Sequence, residues 1–261
     1  MGSGPRRRFL HASILGLIGV AAVLLFPWQV AVWLGVRPVV LPPLPLIGRT
    51  VVDLFASEVL LPAVLVSLAR VNVGFALAVL TGVPLGLVLG RWRRAYQACE
   101  PLLESFRFVI PFAWIPLAIL WFGTHEAGKL FIIWYAGFFL VVLHTIAGVR
   151  GVDPDLVKAA RTLGAGEGTI FIKVVLPAAL PATVTGLRIA FAACWIALIA
   201  AELVAARSGL GYLIMDAREF LQTNVVIVGM AVIAVIGATY NWVFQRVEAR
   251  VFRYRSAEGR L

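Results

Sequence analysis

Long apolar runs separated by short polar segments dominate the pattern of this chain. Six of these runs have about the length that crosses the hydrocarbon core of a bilayer as a helix, which takes roughly 20 residues. The predicted spans are residues 12–36, 64–90, 106–122, 129–149, 178–206 and 225–244. The pattern therefore predicts an all-α, polytopic membrane protein. Pro111 and Pro116 each remove a backbone hydrogen bond, so span 3 is expected to be kinked and packed inside protein.

The segments between the spans add two short helices and define the domain limits. Residues 47–60 are interpreted as a helix at the membrane interface, and residues 207–224 as a short external helix. The predicted organisation is an N-terminal tail over 1–11, a six-span domain over 12–246 and a basic C-terminal tail over 247–261. The Arg6-Arg7-Arg8 run partly resembles a twin-arginine export signal. Because the apolar run that follows exceeds the roughly 7–15 residues of a signal core, it is interpreted as a retained first span.

Composition agrees with this picture, since 61% of the 261 residues are hydrophobic and the mean hydropathy is +0.96. A soluble domain of this size does not need so much apolar surface. The two cysteines, Cys99 and Cys194, suggest no disulfide framework. The three histidines, His11, His125 and His144, lack the spacing of a metal site and are interpreted as structural.

The net charge of +10 is explained by the orientation of the spans. The termini and the even-numbered loops carry 15 Lys and Arg residues, whereas the odd-numbered loops carry 5. Positive residues accumulate on the cytoplasmic side of a membrane protein, so both termini are expected in the cytoplasm. The same residues can contact anionic lipid, so the charge does not require nucleic acid.

The polar segment from Lys158 to Pro177 is predicted to form a helix, a turn and a helix between spans 4 and 5. Lys158 to Thr162 favour a helix, and Gly164 is expected to end it with a positive φ angle. Glu167 to Lys173 can form a second short helix, which Pro177 is expected to end. Such an element is suited to docking onto a protein outside the bilayer.

This segment resembles the EAA loop of permease subunits in binding-protein-dependent ABC importers. The similarity rests on Ala159-Ala160, on Gly164 and on Val174-x-Leu176-Pro177. Lys158 stands where the family usually has Glu, and Val174 where it usually has Ile. Other stretches resemble the sulfonate, nitrate and taurine branch of that family. They are Ser67-Leu68-Ala69-Arg70, Gly82-Val83-Pro84-Leu85-Gly86, Pro116-Leu117, Trp121-Phe122-Gly123, Thr185-Gly186-Leu187-Arg188, Ala201-Glu202-Leu203 and Gly209-Leu210-Gly211.

The resemblance implies a type I ABC importer permease in the cell inner membrane. Its partners would be a second copy of the permease, a cytoplasmic ABC ATPase subunit, an extracytoplasmic substrate-binding protein and membrane lipid. The transported solute would be a small anion such as an aliphatic sulfonate, taurine or nitrate. ATP would be bound by the partner subunit, with no cofactor in this chain. The ATPase would dock on the coupling loop 150–177, at Lys158, Ala159, Ala160, Gly164, Leu176 and Pro177.

The sequence lacks the motifs of a self-sufficient enzyme or pump. No G-x-x-x-x-G-K-[ST] loop for ATP occurs, and no nucleophile–base pair or carboxylate dyad appears in the spans. The alternative is a secondary transporter or channel independent of ATP, which would need coupling carboxylates near the midplane and internal repeats. Glu202 is the only acidic residue within a predicted span, and no repeat is visible. Because the spans contain no nucleophile–base pair or carboxylate dyad, the chain is predicted not to be an enzyme.

Arg188, Trp195 and Glu202 recur at seven-residue spacing in span 5. Seven residues bring a helix within about 20° of two full turns, so the three share one face. Charges facing lipid at mid-bilayer cost roughly 2.5–3.5 kcal/mol each, so this face should point into the bundle or a water-filled route. Either the face lines the translocation route, with Arg188 attracting an anion and Trp195 narrowing the passage, or the face is structural. In the structural case Arg188 pairs with a span-end carbonyl or carboxylate, and Trp195 packs.

The charge bias predicts the result of topology mapping. A reporter that is active only outside the cytoplasm should be active when fused after Gly48 or Asp216, because these positions follow odd-numbered spans. The same reporter should be silent after Arg94 or Gly166. The reverse pattern of activities would overturn the assignment of sides.

Overall fold

The computed structural model describes residues 26–251, and this range contains helices and no strand. Its elements are α1 (described over 26–33), α2 (Leu44–Ala56), α3 (Leu60–Arg91), α4 (Arg93–Arg107), a 3₁₀ turn (Pro111–Trp114), α5 (Ile115–Phe122), α6 (Glu126–Arg150), α7 (Pro154–Thr162), α8 (Glu167–Ile170), a π turn (Phe171–Val175), α9 (Leu176–Ala205), α10 (Leu210–Glu219) and α11 (Thr223–Val251). The all-α prediction is confirmed. The predicted tail 1–11 and most of span 1 lie outside the described residues.

Helices α3 and α6 are in very close contact and run in the same direction. A Cβ atom added at Gly74 would lie 2.5 Å from Ile133 Cγ2, and one at Gly90 would lie 2.7 Å from Val149 Cβ. Between these ends, Gly82 faces Val141 and Gly86 faces Thr145. Each step of four residues along α3 therefore matches a step of four along α6. Small residues that let backbones approach are a common basis of helix packing in membranes, where the hydrophobic effect does not drive helices together.

Helix α9 packs on α6 in the opposite direction. A Cβ atom at Gly137 would lie 2.6 Å from Cys194 Sγ, and one at Gly186 would lie 2.2 Å from His144 Cβ. Helix α11 then packs on α9, where the rings of Phe191 and Tyr240 stack with centroids 4.4 Å apart. The end of α11 and the start of α9 consequently lie at one end of the bundle, together with the ends of α3 and α6.

Span 3 is not the single kinked helix that the sequence predicts over 106–122. α4 and the Pro111–Phe122 segment meet at a bend of 83°. Ile110 is extended, with φ −60° and ψ 134°, because a following proline disfavours the helical conformation. The prolines thus cause the predicted distortion, but they break the span and do not merely bend it.

Contacts along α6 show that the bent pair crosses the bundle. Near its start, the ring of Tyr96 lies 3.8 Å from the guanidinium carbon of Arg150 at the end of α6. Beyond the bend, the ring of Trp114 lies 5.0 Å from that of Tyr135, nearer the start of α6. The chain must return in this way because α3 and α6 are parallel. Within residues 26–251, four helical runs are long and apolar enough to cross a membrane, and the bent pair makes a fifth when it is counted as one span.

The two predicted short helices are present as α2 and α10. Asn224, at the start of α11, donates a hydrogen bond of 2.8 Å to the Thr50 hydroxyl of α2. Helix α11 continues to Val251, beyond the predicted domain boundary at 246. This extension brings Glu248 into contact with Thr185 and Arg188 of α9.

Candidate functional site

Helix α7 is an exposed helix with complete caps at both ends. The Asp153 side chain accepts a hydrogen bond of 2.9 Å from the Asp155 backbone N–H, and Pro154 occupies the first helical position. Lys158 makes an exposed ion pair with Asp155 at 2.8 Å. Lys158, which stands where the EAA loop usually has Glu, therefore forms its ion pair within its own helix.

Gly164 ends α7 with a φ angle of +80°, which confirms the predicted turn. Its N–H donates to the Arg161 carbonyl at 2.9 Å, and the Ala165 N–H donates to the Ala160 carbonyl at 3.1 Å. This pair of bonds is a Schellman motif, which satisfies the last carbonyls of a helix and favours glycine at the left-handed position. No atom lies within 4 Å of a Cβ added at Gly164, so the requirement for glycine comes from the backbone alone.

The prediction that Pro177 ends the second helix of the loop is wrong. Helical structure continues from Glu167 to Ala205, with Leu176 and Pro177 at the start of α9. The five residues before them, Phe171–Val175, form a π turn. A π turn shifts the hydrogen bonding to i→i+5, which accommodates the N–H that proline lacks. The docking loop is thus built directly onto span 5.

The surface of α7 is suited to contact another protein. The helix contains no buried residue. Leu163 is 87% exposed and Leu156 is 51% exposed, with the small side chains of Ala159 and Ala160 between them. Exposed apolar side chains on a capped helix outside the apolar bundle indicate a surface that a partner covers.

An ion cluster that includes the exposed carboxylate of Glu126 lies toward the opposite end of the bundle, centred on the buried Arg70 of α3. Its Nη1 donates to Glu202 Oε1 at 2.7 Å and to the Ser208 carbonyl at 2.6 Å. Its Nε and Nη2 each donate to the carboxylate of Glu126 at 2.7 Å, and Nη2 also reaches Ser208 Oγ at 2.8 Å. The Lys129 ammonium adds a bond of 2.9 Å to Glu126. All five guanidinium donors are therefore satisfied, as a buried arginine requires.

Glu202 also fixes the start of α10. Its Oε2 accepts a bond of 2.9 Å from the Gly211 N–H, and Ser67 Oγ accepts one of 2.9 Å from the Leu210 N–H. The Ser67 hydroxyl donates in turn to Glu202, at 2.8–2.9 Å. A Cβ atom at Gly209 would lie 2.3 Å from Glu202 Oε1, so only glycine leaves room for the carboxylate. The first N–H groups of α10 are thus capped from α3 and α9.

The predicted stripe of Arg188, Trp195 and Glu202 is divided in the structure. Arg188 and Trp195 line one cleft of about 240 Å³ between α9 and α11, with Phe191, Gly237, Asn241 and Phe244. Glu202 lies away from this cleft, and its side chain is fully buried in the ion cluster. The role of these three residues in lining the pathway stays a prediction. The structure brings two of them, Arg188 and Trp195, to the same cleft.

Arg188 has a carboxylate partner that the sequence analysis did not identify. Its Nη1 donates to Glu248 Oε2 at 3.0 Å, and the Thr185 hydroxyl donates to Glu248 Oε1. Within residues 26–251, Nε and Nη2 of Arg188 have no hydrogen-bond acceptor. The guanidinium therefore keeps donors that can bind an oxyanion in the cleft.

Sequence reasoning missed the partners of Glu202 and Arg188. Opposite charges inside two predicted spans, at Arg70 and Glu202, were the available signal, because charges in an apolar interior must pair. Glu248 was missed since it was assigned to the predicted tail.

No group of His, Cys, Asp and Glu across residues 26–251 is arranged to hold a metal ion.

Comparison with known proteins finds relatives that are all membrane components of transport systems. Residues 82–253 match the family described as binding-protein-dependent transport system inner membrane component. The chain is 38% identical over 225 residues to the taurine transport system permease protein TauC of Escherichia coli, covering 84% of this chain and 82% of that protein. It is 37% identical over 237 residues to SsuC of Bacillus subtilis, named as an aliphatic sulfonates transport permease, covering 90% and 86% respectively.

A solved inward-facing structure of the MetNI methionine ABC transporter has a similar fold. The TM-score is 0.66 at 20% identity, covering 76% of this chain and 98% of that chain. At this identity the likeness concerns the fold.

Replacing Arg70 by Met should destabilise the protein strongly. The change leaves Glu202 buried without its counter-charge, and removing one partner of a buried pair costs about 3–5 kcal/mol. The double variant Arg70→Met/Glu202→Gln should recover much of this loss, since the glutamine side chain carries no charge. Thermal unfolding of the detergent-purified protein measures the stability of the single variants Arg70→Met and Glu202→Gln and of the double variant. If the double variant loses as much as the sum of the two single variants, the two side chains are not coupled.

Proposed function

Because this chain belongs to the family of binding-protein-dependent transport system inner membrane components, we propose that it forms the membrane pathway for a small sulfonate, such as taurine or another aliphatic sulfonate. The chain is an ABC importer permease. An ATPase subunit supplies the energy, and an extracytoplasmic binding protein delivers the solute. The names of the relatives and the cleft at Arg188 support this substrate class.

The cleft at Arg188 and Trp195 is the observation that carries the choice of an anion. A guanidinium binds planar or trigonal oxygen groups through parallel N–H donors, which suits a sulfonate. The aromatic side chains of Phe191, Trp195 and Phe244 offer an apolar wall to a short carbon chain. Asn241 adds a polar group at the same cleft. The chemistry of the lining is thus matched to a small anion with an apolar or zwitterionic tail.

The ATPase docks, in this proposal, on the coupling loop through the exposed surface of α7. ATP is bound by that partner, since the sequence of this chain contains no phosphate-binding loop. Two copies of the chain pair about a two-fold axis. In this proposal the protein lies in the inner membrane in contact with anionic lipid, with the loop and both termini in the cytoplasm, and the bias of positive charge supports this orientation.

The alternative of a secondary transporter has less support. Such a protein needs a carboxylate that can change its protonation or ion occupancy during transport. Glu202 accepts bonds from Arg70, Ser67 and Gly211, and its side chain is fully buried. Both oxygens of the Glu202 carboxylate are therefore occupied by hydrogen bonds that join α3, α9 and α10.

Reconstitution of the complex tests the proposed function. The permease is assembled in vesicles with its ATPase and binding protein, and ATP hydrolysis and solute uptake are measured. Taurine or an aliphatic sulfonate should stimulate hydrolysis and be accumulated. Uptake that continues without ATP would favour the secondary transporter instead.

Variants at the cleft test the role of Arg188 in the same assay. Arg188→Gln should reduce uptake while the complex still assembles, because the cleft then lacks the cation that attracts the anion. Glu248→Gln is the matched control and should retain uptake, because it removes the carboxylate and frees the guanidinium. Equal losses in both variants would show that the ion pair is structural.

Substitution of Gly164 tests the docking loop. Gly164→Val should reduce transport, because valine in a left-handed turn adds strain of about 1–3 kcal/mol and misplaces α7. Gly164→Asn is the matched control, since asparagine tolerates the left-handed conformation and should keep most transport. Both variants should insert into the membrane at normal levels. Normal uptake by Gly164→Val at normal expression would contradict a coupling role for this loop.

A further inference from the structure

An ionic bridge joins three helix ends at the base of the docking loop. Oε1 of Glu167 accepts a hydrogen bond from Arg161 Nε at 2.8 Å and forms an ion pair with Arg161 Nη2 at 2.6 Å. Oε2 of the same carboxylate accepts a bond from Arg91 Nη2 at 2.6 Å. Arg161 is in the last turn of α7, Arg91 is the last residue of α3 and Glu167 is the first residue of α8. One carboxylate therefore connects the docking helix to a membrane span that is distant in sequence.

The charges also match the helix ends at which they lie. Cations are favoured near the C-terminus of a helix and anions near the N-terminus, because of the aligned peptide dipoles. Arg91 and Arg161 are at C-terminal ends, and Glu167 is at an N-terminal end. The three helix ends consequently favour the same arrangement that the ion pairs produce.

Apolar packing around this bridge is incomplete. Glu167 lines a cleft of about 310 Å³ together with the end of α3 and Phe171. It also lines a second cleft of about 170 Å³, together with Val149, Val157 and Ile170. Helix α7 itself has no buried residue. The position of α7 relative to α3 thus depends on the bridge more than on close packing.

We propose that Glu167 is a positioning residue that passes movement of the docking helix to the cytoplasmic end of α3, so that ATP hydrolysis is coupled to solute movement. This inference rests on the proposed function. Exposed ion pairs add little to stability, so Glu167 acts on the relative placement of α7 and α3 and contributes little to the free energy of unfolding. Without the carboxylate, the two guanidinium groups face each other and repel, which separates the helices.

The test compares solute uptake per ATP hydrolysed in the reconstituted complex. Glu167→Gln should lower this ratio roughly threefold or more, within the range of coupling between charges in one network. The thermal midpoint of the purified permease should change little. The matched control is Glu104→Gln, which removes an Arg–Glu pair of similar exposure that lies within the single helix α4. That control should keep the wild-type ratio.

A second substitution separates the bridge from other roles of Glu167. Arg91→Gln lies outside the loop and should also lower the ratio, and the double variant Arg91→Gln/Glu167→Gln should be no worse than the poorer single variant. Additive losses, or a normal ratio in either single variant, would overturn the proposed link. If Glu167→Gln does not assemble, Arg91→Gln alone decides, and a normal ratio refutes the link. A wild-type complex without sulfonate-stimulated hydrolysis would overturn the proposed function itself.

Discussion

The close contact of α3 with α6 is the constraint on which the other elements depend. Glycines on α3 let the two backbones approach until side chains such as Ile133 and Thr145 fill the space that a Cβ would occupy. Since the two helices are parallel, the chain between them must cross the bundle again. The proline-containing segment makes that crossing as a broken span. The antiparallel α9 then packs on α6 and also contacts α3, which brings the docking loop to the end of the bundle where α3 terminates.

Two arginines hold α3, in two different environments. Arg70, in the first half of the helix, is buried and has all its donors satisfied by Glu126, Glu202 and Ser208. Arg91, the last residue of the helix, is partly exposed and has one carboxylate partner, Glu167. A buried pair is costly to break because separation leaves uncompensated charge, whereas an exposed pair can rearrange at low cost. The cluster is thus suited to fix the bundle, and the bridge to move with the docking helix.

Glu202 shows that residues on one face of a helix can have different neighbours. Its seven-residue spacing from Arg188 and Trp195 places the three on similar azimuths of an ideal helix. Neighbouring helices differ along the length of α9, however. α11 forms a cleft beside Arg188 and Trp195, while α3 and the turn before α10 enclose Glu202. Periodicity along one helix specifies a face, but the environment of that face depends on which helices pack there.

The sequence by itself determined the helical class, the positions of most spans and the conformation of Gly164. These features follow from local causes, namely the length of apolar runs and the tolerance of glycine for positive φ. The tertiary structure decided how sharply span 3 is broken, the continuation of the helix through Pro177 and the partners of Arg70 and Arg188. Each of these depends on residues far apart in the chain or on hydrogen bonds that the surrounding helices permit. A single sequence carries local preferences directly, whereas the pairing of distant charges emerges only when the helices are packed.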